Sequence, residues 1–379
     1  MKVDNKTLFF WFGQPPKVEV GAYNYMSYHV RKTYYVCLKD YPEERKALNW
    51  GSTDYGAAEL IILPEDKDAR KRMIDKLLNL SKDSEHIICG IAGPMADIIC
   101  PILKKRKQKF IIVSERPRIG FSGAKSSIIS VGLCLKYGLL KRLKYQASIK
   151  AFLPLGSIGV DVFQRLGWKR ELLFQFMYCG EYTNYPTLKE NDTEKIHFLY
   201  IGRFGFNHAL DVLMAAFDKI NDNNWQLDMA GGYGEQKDII MQWISSKENV
   251  RFIGKIDSSE VRTLMAQYDC IVVPSRLDGW NCQINEALSI GCPVITHLYS
   301  VSSELVSASG AGIVVQSLDS AELAEALEKP IKDKRLILKW RKNALSYRHK
   351  FDKEAVGNYL LNIINYVNNE SGFRPSCPW

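Results

Sequence analysis

Short apolar runs alternate with longer stretches of helical periodicity along almost the whole 379-residue chain. Runs rich in β-branched and aromatic residues predict strands, and apolar positions repeating every three or four residues predict helices. Because helices separate the strands, the strands are expected to pair in parallel. In the first half, strands are predicted at Thr7–Phe12, Tyr34–Leu38, Leu60–Leu63, Ile87–Ile91, Phe110–Val113 and Ala151–Leu153, with helices at Ala69–Asn79 and Met95–Lys105.

A polar segment, Glu181–Lys195, interrupts this alternation and is predicted to be a linker because it combines a proline with Asn, Asp and Thr clusters. The alternation then resumes more regularly. The predicted strands are Phe198–Ile201, Gln226–Ala230, Val250–Phe252, Cys270–Val273, Pro293–Thr296 and Gly312–Val315. The predicted helices are Ala209–Ile220, Glu235–Ser245, Ser259–Gln267, Cys282–Ile290, Ser320–Leu327 and Lys353–Tyr366.

This pattern indicates an α/β protein with two doubly wound, Rossmann-like domains that face a central ligand cleft at the carboxyl ends of their strands. The predicted domains are residues 1–180 and 196–348, joined by the linker 181–195. Residues 349–379 are predicted to form a C-terminal helix that crosses back toward the first domain.

Charge and composition narrow the choice of partners. The net charge of +9 favours an anionic partner. Basic residues cluster at Lys104–Lys109 and again, among leucines, within 126–146, which is the pattern of a basic amphipathic helix on a lipid surface. The clusters are short and lack stacking aromatics, so nucleic acid is not expected as a partner. A solvated helix face is the structural alternative for both clusters.

The cysteines and the apolar runs favour a cytoplasmic protein, with attachment to the inner face of the plasma membrane as a refinement. Nine cysteines without CxxC spacing are typical of reduced, buried thiols. No apolar run approaches the ~20 residues that a transmembrane helix requires, and the N-terminal run ends at Gly13 without a signal-peptide pattern.

The segment from Val272 to Ile295 carries the most specific chemistry. A strand leads into the loop Asp278–Asn281, and Asn281 is a suitable N-cap for the following helix, which ends before Gly291. A helix N-terminus presents unpaired N–H groups and therefore favours an anionic ligand. Asp278 and Glu286, eight residues apart, can accept hydrogen bonds from hydroxyl groups on both sides of a bound phosphate.

This segment resembles the signature of the retaining GT-B glycosyltransferases of family 4, a Glu followed by seven residues and a second Glu. The residues in register are Pro274, Ser275, Asp278, Gly279, Glu286, Ala287, Gly291 and Pro293. Phe198–Phe217 is similar to the family's element that grips the donor diphosphate, with Gly202 and Arg203 in place and His208 at the usual Lys. Asn249–Val261 and Ser302–Val315 are similar to two further family segments, which contain Gly254–Ile256 and Glu304.

The resemblance implies a hexosyl transfer, with retention, from a UDP- or GDP-sugar to a saccharide acceptor in glycan assembly. The basic clusters favour a polyprenyl-diphosphate-linked acceptor at a membrane surface. The implied catalytic residues are Arg203, Asp278 and Glu286. Glu286 would hold the ribose, Asp278 the donor sugar, and Arg203 with His208 the leaving diphosphate, without a metal or other cofactor. The remaining implied donor contacts are Gly202, Gly254, Ile256, Gly279, Trp280, Asn281 and Glu304. The family's first Glu is here the shorter Asp278, and Asn281 replaces a family Gly.

The first half offers fewer candidates. Gly21 follows the first strand and is predicted to form a glycine loop facing the donor. Glu115 and Arg116 follow another strand, and we assign them to the acceptor, with Arg116 as a ligand for an acceptor phosphate.

Other functions stay open at this point. A metal-dependent transferase would use Asp66–Lys67–Asp68, although this string is expected to be a capped helix start. A dinucleotide oxidoreductase is disfavoured because Gly231–Glu235 lacks a full GxGxxG motif. The Asp278 and His208 departures also suit a GT-B protein that binds a nucleotide sugar without turnover. A nucleotide-sugar 2-epimerase, which needs no acceptor, is a further alternative.

Overall fold

The computed structural model describes residues 5–46, 53–81, 83–117, 130–182, 185–189 and 193–379. Parts of two predicted segments lie outside this range: residues 183–184 and 190–192 of the linker, and 126–129 of the basic segment. The chain divides into two compact units. The first comprises Met1–Glu181 and Lys353–Pro378, and the second comprises Tyr182–Asp352 with Trp379.

The first unit contains a parallel six-stranded sheet in the order β3-β2-β1-β4-β5-β6. The strands are β1 Thr7–Phe12, β2 Lys32–Cys37, β3 Glu59–Ile62, β4 Ser84–Cys89, β5 Phe110–Ser114 and β6 Ile149–Pro154. The helices are α1 Val20–Ser27, α2 Glu43–Lys46, α3 Lys67–Leu78, α4 Pro94–Lys105, α5 Arg142–Tyr145, α6 Gly156–Arg165 and the late helix Lys353–Val367.

The second unit repeats this architecture with the strand order β12-β11-β10-β7-β8-β9. Its strands are β7 Ile196–Gly202, β8 Trp225–Gly231, β9 Val250–Gly254, β10 Cys270–Val273, β11 Val294–His297 and β12 Gly312–Val315. Its helices are α7 Leu210–Phe217, α8 Lys237–Ser245, α9 Val261–Met265, α10 Cys282–Ser289, α11 Ser303–Ser309, α12 Ser320–Lys332 and α13 Arg335–Tyr347. The late helix Lys353–Val367 is therefore α14.

Continuous apolar sequence explains why the central strands lie deep in each unit. All six residues of β1 are buried, because helices cover both faces of a parallel sheet. Phe9 and Trp11 point into one core cluster together with residues from β4, α4 and β5. The fold class and the twelve strands predicted from the sequence are confirmed, whereas helices α1, α2, α6, α11 and α13 were not predicted.

Helix α14 packs in the first unit although it follows the second unit in sequence. Tyr25 of α1 donates a hydrogen bond to Asn358, 3.2 Å away, and Gly357 lies against the side chain of Tyr25. Beyond the helix, Asn368 donates to the buried carboxylate of Glu85 at 2.8 Å. Lys150 also pairs with Glu85 at 2.8 Å, so this carboxylate is compensated within the fold.

All nine cysteines lie in the described part of the chain, and none of them forms a disulfide bond. Five of the nine are buried, as predicted, and four are half-buried. Within that same part, none of the helices combines the length and apolar composition that crossing a bilayer requires.

Candidate functional site

The predicted donor residues lie on loops at the carboxyl ends of the strands in the second unit. The chain places β8 and β9 on one side of β7, and β10, β11 and β12 on the other. The strand order therefore reverses between β7 and β10, which is where doubly wound sheets bind ligands. The loops after β7, β8, β10 and β11 are joined to one another by hydrogen bonds.

The loop after β10 ends in a capped helix N-terminus. The Asn281 side chain accepts a hydrogen bond from the Gln283 N–H at 3.0 Å, so the predicted N-cap is confirmed. The same side chain donates to Asp278 Oδ2 at 2.8 Å. Asn281 therefore orients the half-buried Asp278 carboxylate beside the N–H groups that open α10.

Trp280 and Glu286 have different environments. The Trp280 ring is buried, and its Nε1 donates to Asn285 at 3.0 Å, so this side chain packs inside the unit. Gly279 and Glu286 are half-buried, and Glu286 lies on α10, one turn after its start. The Trp280 ring is thus committed to packing, whereas Glu286 is partly accessible to solvent.

Arg203 follows directly after β7, and His208 ends a short 3₁₀ turn before α7. The exposed Arg203 guanidinium lies 5.5 Å from the centre of the Tyr233 ring. The Arg203 carbonyl accepts a hydrogen bond from Tyr200 at 2.7 Å. Burial and the charge of Arg203 lower the pKa of His208, and the carboxylate of Glu235 opposes this only in part. His208 is therefore neutral at physiological pH.

Arg276 holds the loop after β10 against the loop after β7. This residue was not among those predicted from the sequence. Its backbone N–H donates to the Asn207 carbonyl at 2.9 Å. Its guanidinium pairs with Asp211 at 2.7 Å and lies 4.1 Å from the centre of the Phe206 ring. Because Arg276 is two residues before Asp278, these contacts fix Asp278 relative to His208. Its place at a strand's carboxyl end was the available signal.

The glycine turn after β8 packs against the same loop. A Cβ on Gly231 would lie 2.0 Å from the Gly202 carbonyl oxygen, and one on Gly234 would lie 2.4 Å from the Phe204 oxygen. Both positions also have positive φ angles. Glycine is therefore required there for two reasons, the close backbone approach and the left-handed backbone conformation. Glu235 accepts a hydrogen bond from the Phe206 N–H at 2.9 Å, which lowers the pKa of its carboxyl.

The loop after β11 completes the cluster. Ser300 forms a parallel bridge with Asp278, and Ser302 Oγ donates to the Asn281 carbonyl at 2.9 Å. Glu304 lies in the first turn of α11 and accepts a hydrogen bond from the Trp379 indole at 3.1 Å.

The structure therefore brings most predicted donor residues onto interlocked loops. Gly254 and Ile256 follow β9 at the edge of the sheet, two strands from β7. Gly254 has a φ of +86° and open space beside its Cα.

In the first unit, the predicted glycine loop at Gly21 is wrong. Gly21 is the second residue of α1 and is buried. A Cβ there would lie 2.1 Å from the Gly180 carbonyl oxygen, and its N–H donates to Cys179 at 2.8 Å. Close packing of α1 against residues 179–180 accounts for this glycine.

Glu115 and Arg116 line a cavity of about 810 Å³ in the first unit. Glu19, which the sequence analysis did not single out, lines the same cavity. Its only sequence signal was a position shortly after the first strand.

The Asp66–Lys67–Asp68 string is a helix start, as expected. The Asp66 carboxylate caps α3 by accepting a hydrogen bond from the Ala69 N–H at 2.8 Å. Among the residues whose placement is described, no group of three or more His, Cys, Asp or Glu side chains is arranged to hold a metal ion.

Comparison with known proteins gives partial sequence matches. Residues 184–347 match the family model described as glycosyl transferases group 1. Over 159 residues the chain is 25% identical to an uncharacterized 41.2 kDa protein in the cps region of Klebsiella pneumoniae, covering 42% of this chain and 41% of that protein. Over 165 residues it is 22% identical to the lipopolysaccharide glucosyltransferase WaaG of Escherichia coli K12, covering 43% of each. The chain thus matches about two fifths of the length of these relatives.

The structural match extends over nearly the whole chain. The crystal structure of HepE from Anabaena in complex with UDP superposes with a TM-score of 0.70 at 14% identity, covering 95% of this chain and 100% of HepE. Two parallel sheets with flanking helices, matched over this length, define the protein as one of GT-B fold. The match to the glycosyl transferases group 1 model covers residues 184–347, which lie in the second unit.

Proposed function

We propose that the protein is a glycosyltransferase that moves a hexosyl group from a UDP- or GDP-sugar to a saccharide acceptor. The observation that carries this proposal is the set of interlocked loops after β7, β8, β10 and β11, which lie within the matched family domain. HepE, whose fold is similar, was crystallised with UDP, and WaaG is a glucosyltransferase; both names support a nucleotide-sugar donor.

The donor fits the second unit as follows. The N–H groups at the start of α10 receive the phosphate or the adjoining sugar, because a helix N-terminus carries positive potential. Asp278, oriented by Asn281, accepts hydrogen bonds from donor-sugar hydroxyls. Glu286 holds the ribose, and Arg203 offers a bidentate cation to the diphosphate. Gly202, Gly254, Ile256 and Glu304 complete the proposed contacts.

The reaction we infer is front-face attack by an acceptor hydroxyl, with retention at the anomeric carbon. The bond from the anomeric carbon to the donor phosphate breaks, and the leaving phosphate takes the proton of the attacking hydroxyl. Arg203 stabilises the charge that develops on this phosphate. Removal of one such hydrogen-bond donor from an active site typically raises the activation free energy by ~3–4 kcal/mol. The proposed reaction uses no metal and no other cofactor.

A membrane-facing acceptor is the second part of the proposal, and the residues 130–145 support it. This segment, here named the basic helix, is α-helical over 130–134, a π-helix over Leu135–Lys141 and α5 beyond it. Leu140 and Leu143 are 64% and 67% exposed. The Lys104 ammonium donates to the Lys144 carbonyl at 2.8 Å, so the two basic clusters of the sequence lie side by side. Apolar side chains among cations suit the surface of an anionic bilayer. This surface would place the protein at the inner face of the plasma membrane.

Donor binding and turnover test the main proposal. UDP- or GDP-sugars should raise the melting temperature, because a bound ligand stabilises in proportion to ln(1 + [L]/Kd). Arg203→Ala and Glu286→Ala should each lower transfer by about 100-fold, and EDTA should leave the activity unchanged. The matched controls are Arg348→Ala, which removes an exposed Arg stacked on Tyr185, and Glu325→Ala on α12.

The outcomes separate the alternatives. Donor binding without release of nucleotide in the presence of any acceptor would favour a protein that binds the nucleotide sugar without turnover. Conversion of the free donor without an acceptor would favour a 2-epimerase. Wild-type transfer rates in both Arg203→Ala and Glu286→Ala would remove the site assignment.

A further inference from the structure

The cavity that Glu115 and Arg116 line lies where the strand order of the first unit reverses. The walls include the last residues of β1, β4 and β5, which are Phe12, Cys89 and Ser114, and Leu38, which directly follows β2. The strand order β3-β2-β1-β4-β5-β6 turns between β1 and β4, so the cavity occupies the position where such sheets bind ligands. Its volume of about 810 Å³ is within the range of small-molecule sites.

The charges of the cavity wall are predominantly positive. Four cations contribute to it: Lys17, Lys39, Arg45 and Arg116. They face two carboxylates, Glu19 and Glu115. This leaves a surplus of two positive charges when both carboxylates are ionised. The N-cap Gly93 and the first residue of α4, Pro94, also line the cavity, so this helix N-terminus adds positive potential.

The carboxylates serve a different chemistry from the cations. The carboxyl of the half-buried Glu19 accepts hydrogen bonds from backbone N–H groups of residues 17–19 and faces Glu115. Burial raises the pKa of Glu19 to about 7. Near neutral pH this carboxyl can therefore both donate hydrogen bonds to sugar hydroxyls and accept hydrogen bonds from them.

The basic helix links this cavity to the exposed leucines. Leu133 and Tyr137 of the helix are part of the cavity wall, whereas Leu140 and Leu143 are exposed to solvent. One element thus borders both the polar cavity and the apolar surface.

We infer that this cavity binds a phosphorylated saccharide as the acceptor, with Lys17, Lys39, Arg45 and Arg116 around its phosphate and Glu19 and Glu115 on its hydroxyls. The surplus of two positive charges matches the nearly double negative charge of a phosphate monoester at neutral pH better than the single charge of a uronic acid. The inference rests on the proposed function, since it names the acceptor class of the same reaction.

Calorimetry on the full chain, saturated with UDP, tests the inference while the donor site is occupied. The probes are glucose 1-phosphate, glucose 6-phosphate and N-acetylglucosamine 1-phosphate, each compared with its neutral sugar. At least one phosphorylated probe should bind more than tenfold tighter than its neutral form. Lys39→Met/Arg45→Met should weaken that binding at least tenfold. Lys71→Met/Arg72→Met, which removes the same charge from the exposed face of α3, should change it less than twofold.

Equal affinity for phosphorylated and neutral sugars, or equal effects of the two double variants, would overturn the inference. Failure of the wild-type protein to bind UDP or GDP would instead count against the proposed donor site. UDP affinity should stay at the wild-type value in both double variants, which also shows that they are folded.

Glu19→Gln supplies a readout based on pH. The other groups that face Glu19 are Glu115, Lys17, Arg116, Tyr23, Cys37, Tyr41, Tyr55 and Cys89. Burial raises the pKa of each of these thiols and phenols, so they stay neutral up to pH 8. Between pH 6 and 8, ionisation of Glu19 should therefore weaken binding of the phosphorylated probe several-fold relative to Glu19→Gln. A constant ratio of the two affinities would contradict the role given to Glu19.

Discussion

At the scale of single residues, His208 and Asn281 show how departures from the family pattern are accommodated. His208 stands where the family has a Lys, and its lowered pKa leaves it uncharged. Asn281 stands where the family has a Gly, and its side chain holds the shortened carboxylate Asp278. Asn281 therefore fixes the orientation of Asp278, which is the shorter replacement for the first Glu of the signature.

Restoring the family cation should strengthen donor binding. His208→Lys should bind UDP about tenfold more tightly at pH 7.5, equivalent to about 1.4 kcal/mol, because a charged donor makes stronger hydrogen bonds to phosphate. In the wild-type protein a similar gain should appear only as the pH falls below the ordinary His pKa of 6.5. The measurement is UDP affinity by calorimetry from pH 5.5 to 8.

His208→Gln is the control for this substitution, because it keeps a neutral polar side chain. Its UDP affinity should equal that of the wild-type protein at pH 7.5. At lower pH its affinity should change only as far as the ionisation of UDP itself changes it. If His208→Lys binds UDP no better than His208→Gln, the residue does not contact the diphosphate.

At the scale of elements, the site depends on loops that pack backbone against backbone. The turn after β8 approaches the loop after β7 so closely that Gly231 and Gly234 admit no side chain. Arg276 and Ser302 then tie the loops after β10 and β11 into the same cluster. The positions of the proposed donor contacts thus depend on all four loops together.

Gly234→Ala tests this dependence. The added Cβ would meet the Phe204 carbonyl oxygen at 2.4 Å, so the loop that carries Arg203 must shift. Overpacking of this kind typically costs ~1–3 kcal/mol of stability, and UDP affinity should fall with it. Thermal unfolding and UDP titration measure the two effects.

Gly90→Ala is the matched control, because Gly90 also has a positive φ but nothing within 4 Å of the added Cβ. It should lose stability through backbone strain alone and keep wild-type UDP affinity. A Gly234→Ala protein with unchanged UDP affinity would show that the glycine turn does not position the donor loop.

At the scale of the whole molecule, the two proposed binding sites belong to two units built on the same plan. The proposed donor residues lie in the second unit, and the cavity with the basic helix lies in the first. Helix α14 and the residues after it return the chain to the first unit and reach the buried Glu85. The central cleft predicted from the sequence stays a prediction.

Binding to lipid vesicles tests the surface of the basic helix. Vesicles containing anionic lipid should bind the protein at low salt, and added salt should weaken binding because it screens the cations. Leu140→Ser/Leu143→Ser and Lys136→Gln/Lys144→Gln should each reduce binding several-fold in a flotation assay. Leu338→Ser, which removes a leucine that is 67% exposed in the second unit, should have no effect. The membrane proposal would be contradicted if the basic-helix variants bound vesicles as well as the wild-type protein. It would also be contradicted if only Leu338→Ser lost vesicle binding.

Features that depend on neighbouring residues could be predicted from the sequence alone. Apolar runs and their helical intervals predicted the parallel sheets, and the Asn281 N-cap and the Asp66 helix start were read correctly because each hydrogen bond spans two or three residues. Helix α1 was missed because it is only eight residues long, has no side-chain cap and is buried on nearly all sides, so no polar face marks it in the sequence. Its glycine was therefore mistaken for a loop residue.

Contacts between residues that are far apart in the chain became known only from the three-dimensional structure. Arg276 contacts a loop about 70 residues earlier in the chain, Lys104 reaches Lys144, and Glu19 faces Glu115. Contacts of this kind depend on the order of strands in the sheet and on how closely backbones approach. No periodicity in the sequence encodes that order, because the same alternation of strands and helices is compatible with several sheet arrangements.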